Sequence, residues 1–176
     1  VEALSSLARI DYLAGQDSQA ESSLNEATSR ADATEPRAWT RYLLAVALDE
    51  RSTGQDALSV ASFDELYSYA LDHDLPFRAL EGAEIASRAG TVPEREEWLE
   101  KGIEVAEDLD EERWEALLWN NLGWILDEDG RHERALDAFL QARELNYRAS
   151  DDGRKLASDY AVGHAYRMLD RRDESH

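Results

Sequence analysis

Apolar and small residues recur along this chain at three- and four-residue spacings, with no long alternating Val/Ile/Thr run to suggest a strand. The stretch WNNLGWILDEDGRHERALDAFLQA, residues 119–142, shows the pattern most clearly. Trp119, Leu122 and Gly123 share one helical face, and Ala135, Phe139 and Ala142 share another. Gly130 falls between them, where one helix must stop and the chain reverse. The spacing therefore predicts a helical hairpin.

The same spacings recur elsewhere. At the start of the chain Leu4 is followed by Leu7-Ala8, Gly15, Ala20, Leu24 and Ala27. A third copy begins at Ala79, with Gly82-Ala83, Gly90, Arg95, Leu99 and Gly102. A fourth begins near Asp159, with Val162-Gly163 and Tyr166, and runs out at Ser175-His176. Between the first and third copies, RAWTRYLLAVALDE and DALSVASFDELYSYALDHD read as two further helices. Their register is open, because alignment on Trp39, Ala45 or Gly54 gives three answers. Pro36 and Pro76 stand at helix starts, where a missing N–H does no harm. Approximate repeats are 1–35, 36–75, 76–115, 116–155 and a partial 156–176. The last is either a truncated hairpin, the favoured reading, or a polar capping helix.

A mid-helix glycine costs about 1 kcal/mol against alanine. Gly123 and Gly163, with Ala8 and Ala83 at the matching positions, make sense if a neighbouring helix approaches closely there. Ala20, Ala27, Ala135 and Ala142 would be the small contacts on the second helices, and Leu24 and Phe139 the large ones. The fold class that follows is all-α: an α-solenoid of about four and a half antiparallel helical hairpins, each burying its apolar face on its neighbours.

The order Trp, Leu-Gly, Ala, Phe, Ala at these spacings resembles the tetratricopeptide repeat (TPR) family. Leu126 stands where that family has Tyr, and the closing Pro is missing. The 40-residue intervals from Ala79 to Trp119 to Asp159 look like a longer-period variant, found in bacterial regulators, peptide receptors and scaffolds.

Charge and composition narrow the function. Asp plus Glu number 39 against 19 Lys plus Arg, a net of −20, which disfavours a phosphate backbone as partner. Lys101 and Lys155 are the two lysines, so the other 17 bases are arginines. The acid excess fits either salt adaptation or an ordinary acidic protein. Residues 94–113 carry ten acids and three bases, which reads as a solvated acidic helix face. No cysteine is present, which excludes disulfides and thiolate chemistry. No apolar run approaches the roughly 20 residues of a membrane span. Val1 already stands inside a helical pattern, so the chain reads as a piece of a longer, cytoplasmic protein.

Candidate chemistry is sparse. His73, His132, His164 and His176 form no zinc-binding pair on a helix. The acidic stretches at Asp108–Glu112, Asp127–Gly130 and Asp151–Arg154 lack calcium-loop spacing and read as turns. Phosphate-cradling glycine loops are absent. No cofactor and no metal are expected, and the chain is expected not to be an enzyme.

In the family resembled, the first helix of each hairpin lines a concave groove for a peptide or partner helix. Carried over, the resemblance implies groove positions at Asn120, Trp124, Asp127 and Glu128, then Tyr160, His164, Arg167 and Met168. The first copy supplies Ser5, Arg9, Tyr12 and Leu13, and the third Leu80, Glu84, Ser87 and Arg88. Trp119 and Trp124 are separated by about 140° around a helix, so both cannot enter the same core. With Trp119 in the core, Trp124 turns to the groove or packs on Tyr160 and His164. Asn120 would bond a peptide backbone, and Asp127 would stand beside Arg167 and pair with it. Glu84, Asp127 and Glu128 make such a groove acidic, which favours a partner with basic and apolar residues over a carboxylate tail. The expected function is a non-catalytic protein- or peptide-binding adaptor. The alternative is a ligand- or peptide-sensing regulatory domain of a larger bacterial regulator, and an all-helical metal-dependent enzyme ranks third.

Overall fold

The computed structural model describes residues 1–149 and 152–170, without the side chains of Leu13 and Asp17. Asp151, Ser175 and His176, and the side chain proposed for the groove at Leu13, lie outside the described residues. Among those described there are nine α-helices and no strand. They fall into two compact units, Val1–Ala86 and Ser87–His176.

The first unit contains α1 (Glu2–Leu13), α2 (Asp17–Thr28), α3 (Pro36–Ser52), α4 (Asp56–Asp72) and α5 (Pro76–Ala86). Helix α1 packs on α2 and α3, α3 on α4, and α4 on α5. Pro36 and Pro76 are the first residues of their helices. Ala8, Leu24 and Ala45 form one core cluster, flanked by Tyr12, Tyr42 and Val46. Further along, Leu66 on α4 lies over Gly82 on α5, where an added Cβ would stand 2.9 Å from Leu66 Cδ2.

The second unit contains α6 (Val92–Asp108), α7 (Glu112–Glu128), α8 (His132–Arg148) and α9 (Asp152–Met168). Its core is built as the small-large-small pattern anticipates. Ala135, Phe139 and Ala142 of α8 are buried, and the Phe139 ring lies on Gly123 of α7. Gly163 differs. A Cβ there would meet only the Arg167 side chain of its own helix, at 3.6 Å, so no described helix closes on it.

One turn motif closes helix after helix. Gly15, Gly54 and Gly130 adopt φ of +69°, +75° and +77°. In each case the next residue donates its N–H to a carbonyl five positions back: Gln16 to Asp11, Gln55 to Glu50, and Arg131 to Leu126. Gly54 thereby fixes the open register of the second copy, setting Ser59 against Ala47, whose carbonyl accepts the Ser59 hydroxyl at 2.8 Å. The turns that lead into α5 and α7 use aspartate instead, with Asp74 and Asp110 at φ of 55° and 56°. There Leu75 donates to Ala70 and Glu111 to Ala106.

Candidate functional site

In the second unit one expected groove residue, Asp127 near the end of α7, meets another, His164 of α9. Both oxygens of Asp127 are taken. Oδ1 accepts from His132 Nδ1 of α8 at 2.8 Å, and Oδ2 from His164 Nε2 of α9 at 2.7 Å. An ionised carboxylate only accepts, so those two nitrogens carry the imidazole protons. Burial opposes ionisation of Asp127, but the hydrogen bonds from His164 and His132 outweigh it and hold the carboxyl below its usual range. The expected pairing with Arg167 is therefore corrected: His132 and His164 occupy Asp127, and the Arg167 guanidinium lies 5.9 Å from the Tyr160 ring centre. Arg167 stands one turn beyond His164, too late to compete.

Trp124 is half-buried, edge-on to Phe139 at 5.0 Å and tilted against His164 at 5.2 Å. It is a packing residue joining α7, α8 and α9. Trp119 is also only half-buried, and its indole hydrogen-bonds Glu115 one turn earlier. Asn120 is half-buried, Glu128 is exposed and reaches Arg95 of α6 at 3.3 Å, and Tyr160 is 62% exposed. Beside these, Glu96 of α6 receives Arg131 at 2.7 Å and Arg134 at 2.6 Å.

The first unit gathers three arginines in one place. Arg9 of α1, Arg41 of α3 and Arg78 of α5 converge on Glu81, at 2.9, 3.6 and 2.8 Å. The acids on which an acidic groove was expected, Glu84, Asp127 and Glu128, are not part of this cluster. Asp127 and Glu128 of the other unit already hold cationic or N–H partners as well. Tyr12 gives its hydroxyl to Asp49 of α3, and Glu84 is half-buried. Ser5, Leu80 and Ser87 are buried and unavailable to a partner. The arginine cluster escaped the sequence reading because only Arg9 stands at an implied groove position. Its signal was the spacing of arginines on three successive first helices.

Among the described residues no group of three or more His, Asp or Glu side chains is arranged to hold a metal ion, and no helix is long and apolar enough to cross a membrane.

The hairpin α7–α8, with its Gly123–Phe139 contact, coincides with the stretch matched by a family profile described as tetratricopeptide repeat, residues 116–149. Residues 116–149 thus match the tetratricopeptide repeat, TPR. Solved structures with TPR-like repeats share the chain's all-α fold. BtubC (BKLC) from P. vanneervenii superposes with a TM-score of 0.74 at 18% identity, over 98% of this chain and 74% of that one. A putative kinesin light chain with nearly identical TPR-like repeats, from Podosopora anserina, superposes with a TM-score of 0.71 at 17% identity, over 98% and 88%. A singly substituted form of the latter superposes equally well. No curated protein sequence matches the chain. TPR segments generally bind proteins or peptides and are generally non-catalytic.

Proposed function

We propose that this chain is a non-catalytic protein- or peptide-binding module of adaptor or scaffold type, working in the cytoplasm through the exposed sides of its first helices. The observation that carries this reading is on α9. Leu156 and Tyr160, one turn apart, stand 73% and 62% exposed beside the tetratricopeptide repeat. An aromatic with a polar tip next to an aliphatic side chain is a typical anchor for a partner. The acid excess of the chain directs this face toward a segment carrying apolar and basic residues.

Selection from a random peptide display library tests the proposal. The parent chain should enrich peptides that combine apolar and basic residues, and Tyr160→Ala should abolish the enrichment with its circular dichroism melt unchanged. Equal enrichment by parent and variant would remove α9 from the binding surface. Absence of any enriched peptide would count against the module reading as a whole.

A further inference from the structure

We propose that the arginine triad on α1, α3 and α5 is a receiving site for a phosphoryl group carried on a peptide or protein side chain, and that Glu81 fills it when no ligand is present. The triad is an island of positive charge in a chain of net charge −20. Three guanidinium groups face one carboxylate within 3.6 Å. The next acid, Glu2, is half exposed and comes no nearer than 4.0 Å to Arg41 Nε. The side chains of Arg9, Arg41, Arg78 and Glu81 are 31%, 21%, 25% and 18% exposed, so the cluster is half-buried and still open at one side.

Donors outnumber acceptors. The buried Nε–H groups of Arg9 and Arg41 have no hydrogen-bond acceptor among the described residues. A buried donor left unmade costs free energy, and an incoming oxyanion would recover it. Burial and the neighbouring Arg78 and Arg9 also weaken protonation of Arg41, and only Glu81 and Glu2 offset them. Three guanidinium groups thus share a single close carboxylate.

Charge and geometry then select the ligand. A single carboxylate is already in place as Glu81, tethered at high effective concentration, so a monocarboxylate ligand would exchange like for like. A phosphate monoester brings close to two charges and three acceptor oxygens, and guanidinium forks bind it bidentately. It matches the surplus charge and the spare donors together.

The side-chain origin of the phosphoryl group rests on the peptide-binding reading; the anion site itself does not. Isothermal titration of the 176-residue chain with inorganic phosphate, a capped phosphoserine peptide and acetate, at matched ionic strength, separates the two. Phosphate and the peptide should bind saturably, the peptide more tightly, and acetate should not. Arg41→Gln should weaken both by about tenfold or more. Glu81→Gln should tighten both severalfold, because the internal competitor is gone, while lowering the melting midpoint of the free chain. That opposite sign keeps the test decisive if Arg41→Gln folds poorly. Phosphate binding no tighter than acetate, or weakened binding by Glu81→Gln, would overturn the site. Inorganic phosphate binding more tightly than the peptide would overturn the side-chain source alone. Failure of the peptide selection with phosphate binding intact would sink the module reading and leave this site standing.

Discussion

Replacing Gly123 by alanine sets two effects of opposite sign against each other. Mid-helix, alanine is favoured over glycine by about 1 kcal/mol. Against this, the new Cβ would stand 2.5 Å from Phe139 Cδ1 and closer still to Cε1. Ordinary carbon–carbon contact lies at about 3.5–4.0 Å, so the ring would have to retreat by about 1 Å. Phe139 has nowhere to go: it is fully buried, with Trp124 edge-on at 5.0 Å. Overpacking of this kind costs about 1–3 kcal/mol, and three clashing ring atoms put the cost near the upper end. The net expectation is a loss of about 2 kcal/mol, or a melting midpoint lower by about 4–8 °C. Urea and thermal unfolding followed by far-UV circular dichroism would measure it. Gly163→Ala is the internal control. It meets no neighbour closer than 3.6 Å, so it should gain up to about 1 kcal/mol. Adding Phe139→Leu to Gly123→Ala should recover part of the loss. A Gly123→Ala variant as stable as the parent would refute the close-packing argument, and with it the reason a glycine stands there.

Three further outcomes follow from the same geometry. The folded-state pKa of Asp127 is depressed below 3.8, so its stabilising contribution is complete above that value and is lost as pH falls through the folded pKa. Acid titration of stability should show this, and Asp127→Asn should cost about 1–2 kcal/mol at neutral pH while flattening the acid limb. Glu115 behaves oppositely: burial and the neighbouring Glu107 raise its pKa above 4.5, so it weakens the fold progressively as pH rises through that raised value. Glu115→Gln should therefore be neutral or stabilising at pH 7, by about 0.5 kcal/mol or less, in urea unfolding. Trp124→Ala should lose about 2–3 kcal/mol through its contacts with Phe139 and His164, whereas Tyr160→Ala should change stability by less than about 0.5 kcal/mol. Parallel melts of the two variants would show it.

The helices and their main contacts were legible because they rest on local periodicity and on residue size. A bare Cα opposite a phenylalanine leaves a mark in the sequence, and so does a glycine at a positive-φ turn. Gly15, Gly90 and Gly130 fall where the pattern puts them, and Gly54 resolves the register that Trp39 and Ala45 confused. The left-handed Asp74 and Asp110 were harder to see, because aspartate in an acidic turn reads first as solvation. The candidate site was legible by neighbourhood and not by pairing. Asp127 and His164 were both singled out, yet which side chain meets Asp127 depends on a single helical turn of displacement between His164 and Arg167. The convergence of Arg9, Arg41 and Arg78 on Glu81 depends on how three helices lie side by side, and no spacing within one helix encodes that.

The two kinds of turn have a consequence for how such a chain could grow. The stop signal at Asp74 or Asp110 is complete within six residues, since the hydrogen bonds that close it run from Leu75 to Ala70 and from Glu111 to Ala106. A gene duplicated or recombined at those points would carry every helix end with it, owing nothing to whichever segment became its neighbour. Segments of unequal length could then be inherited as whole cassettes, with the junction tolerant of the joining partner and the glycine turn inside each cassette under the stricter selection.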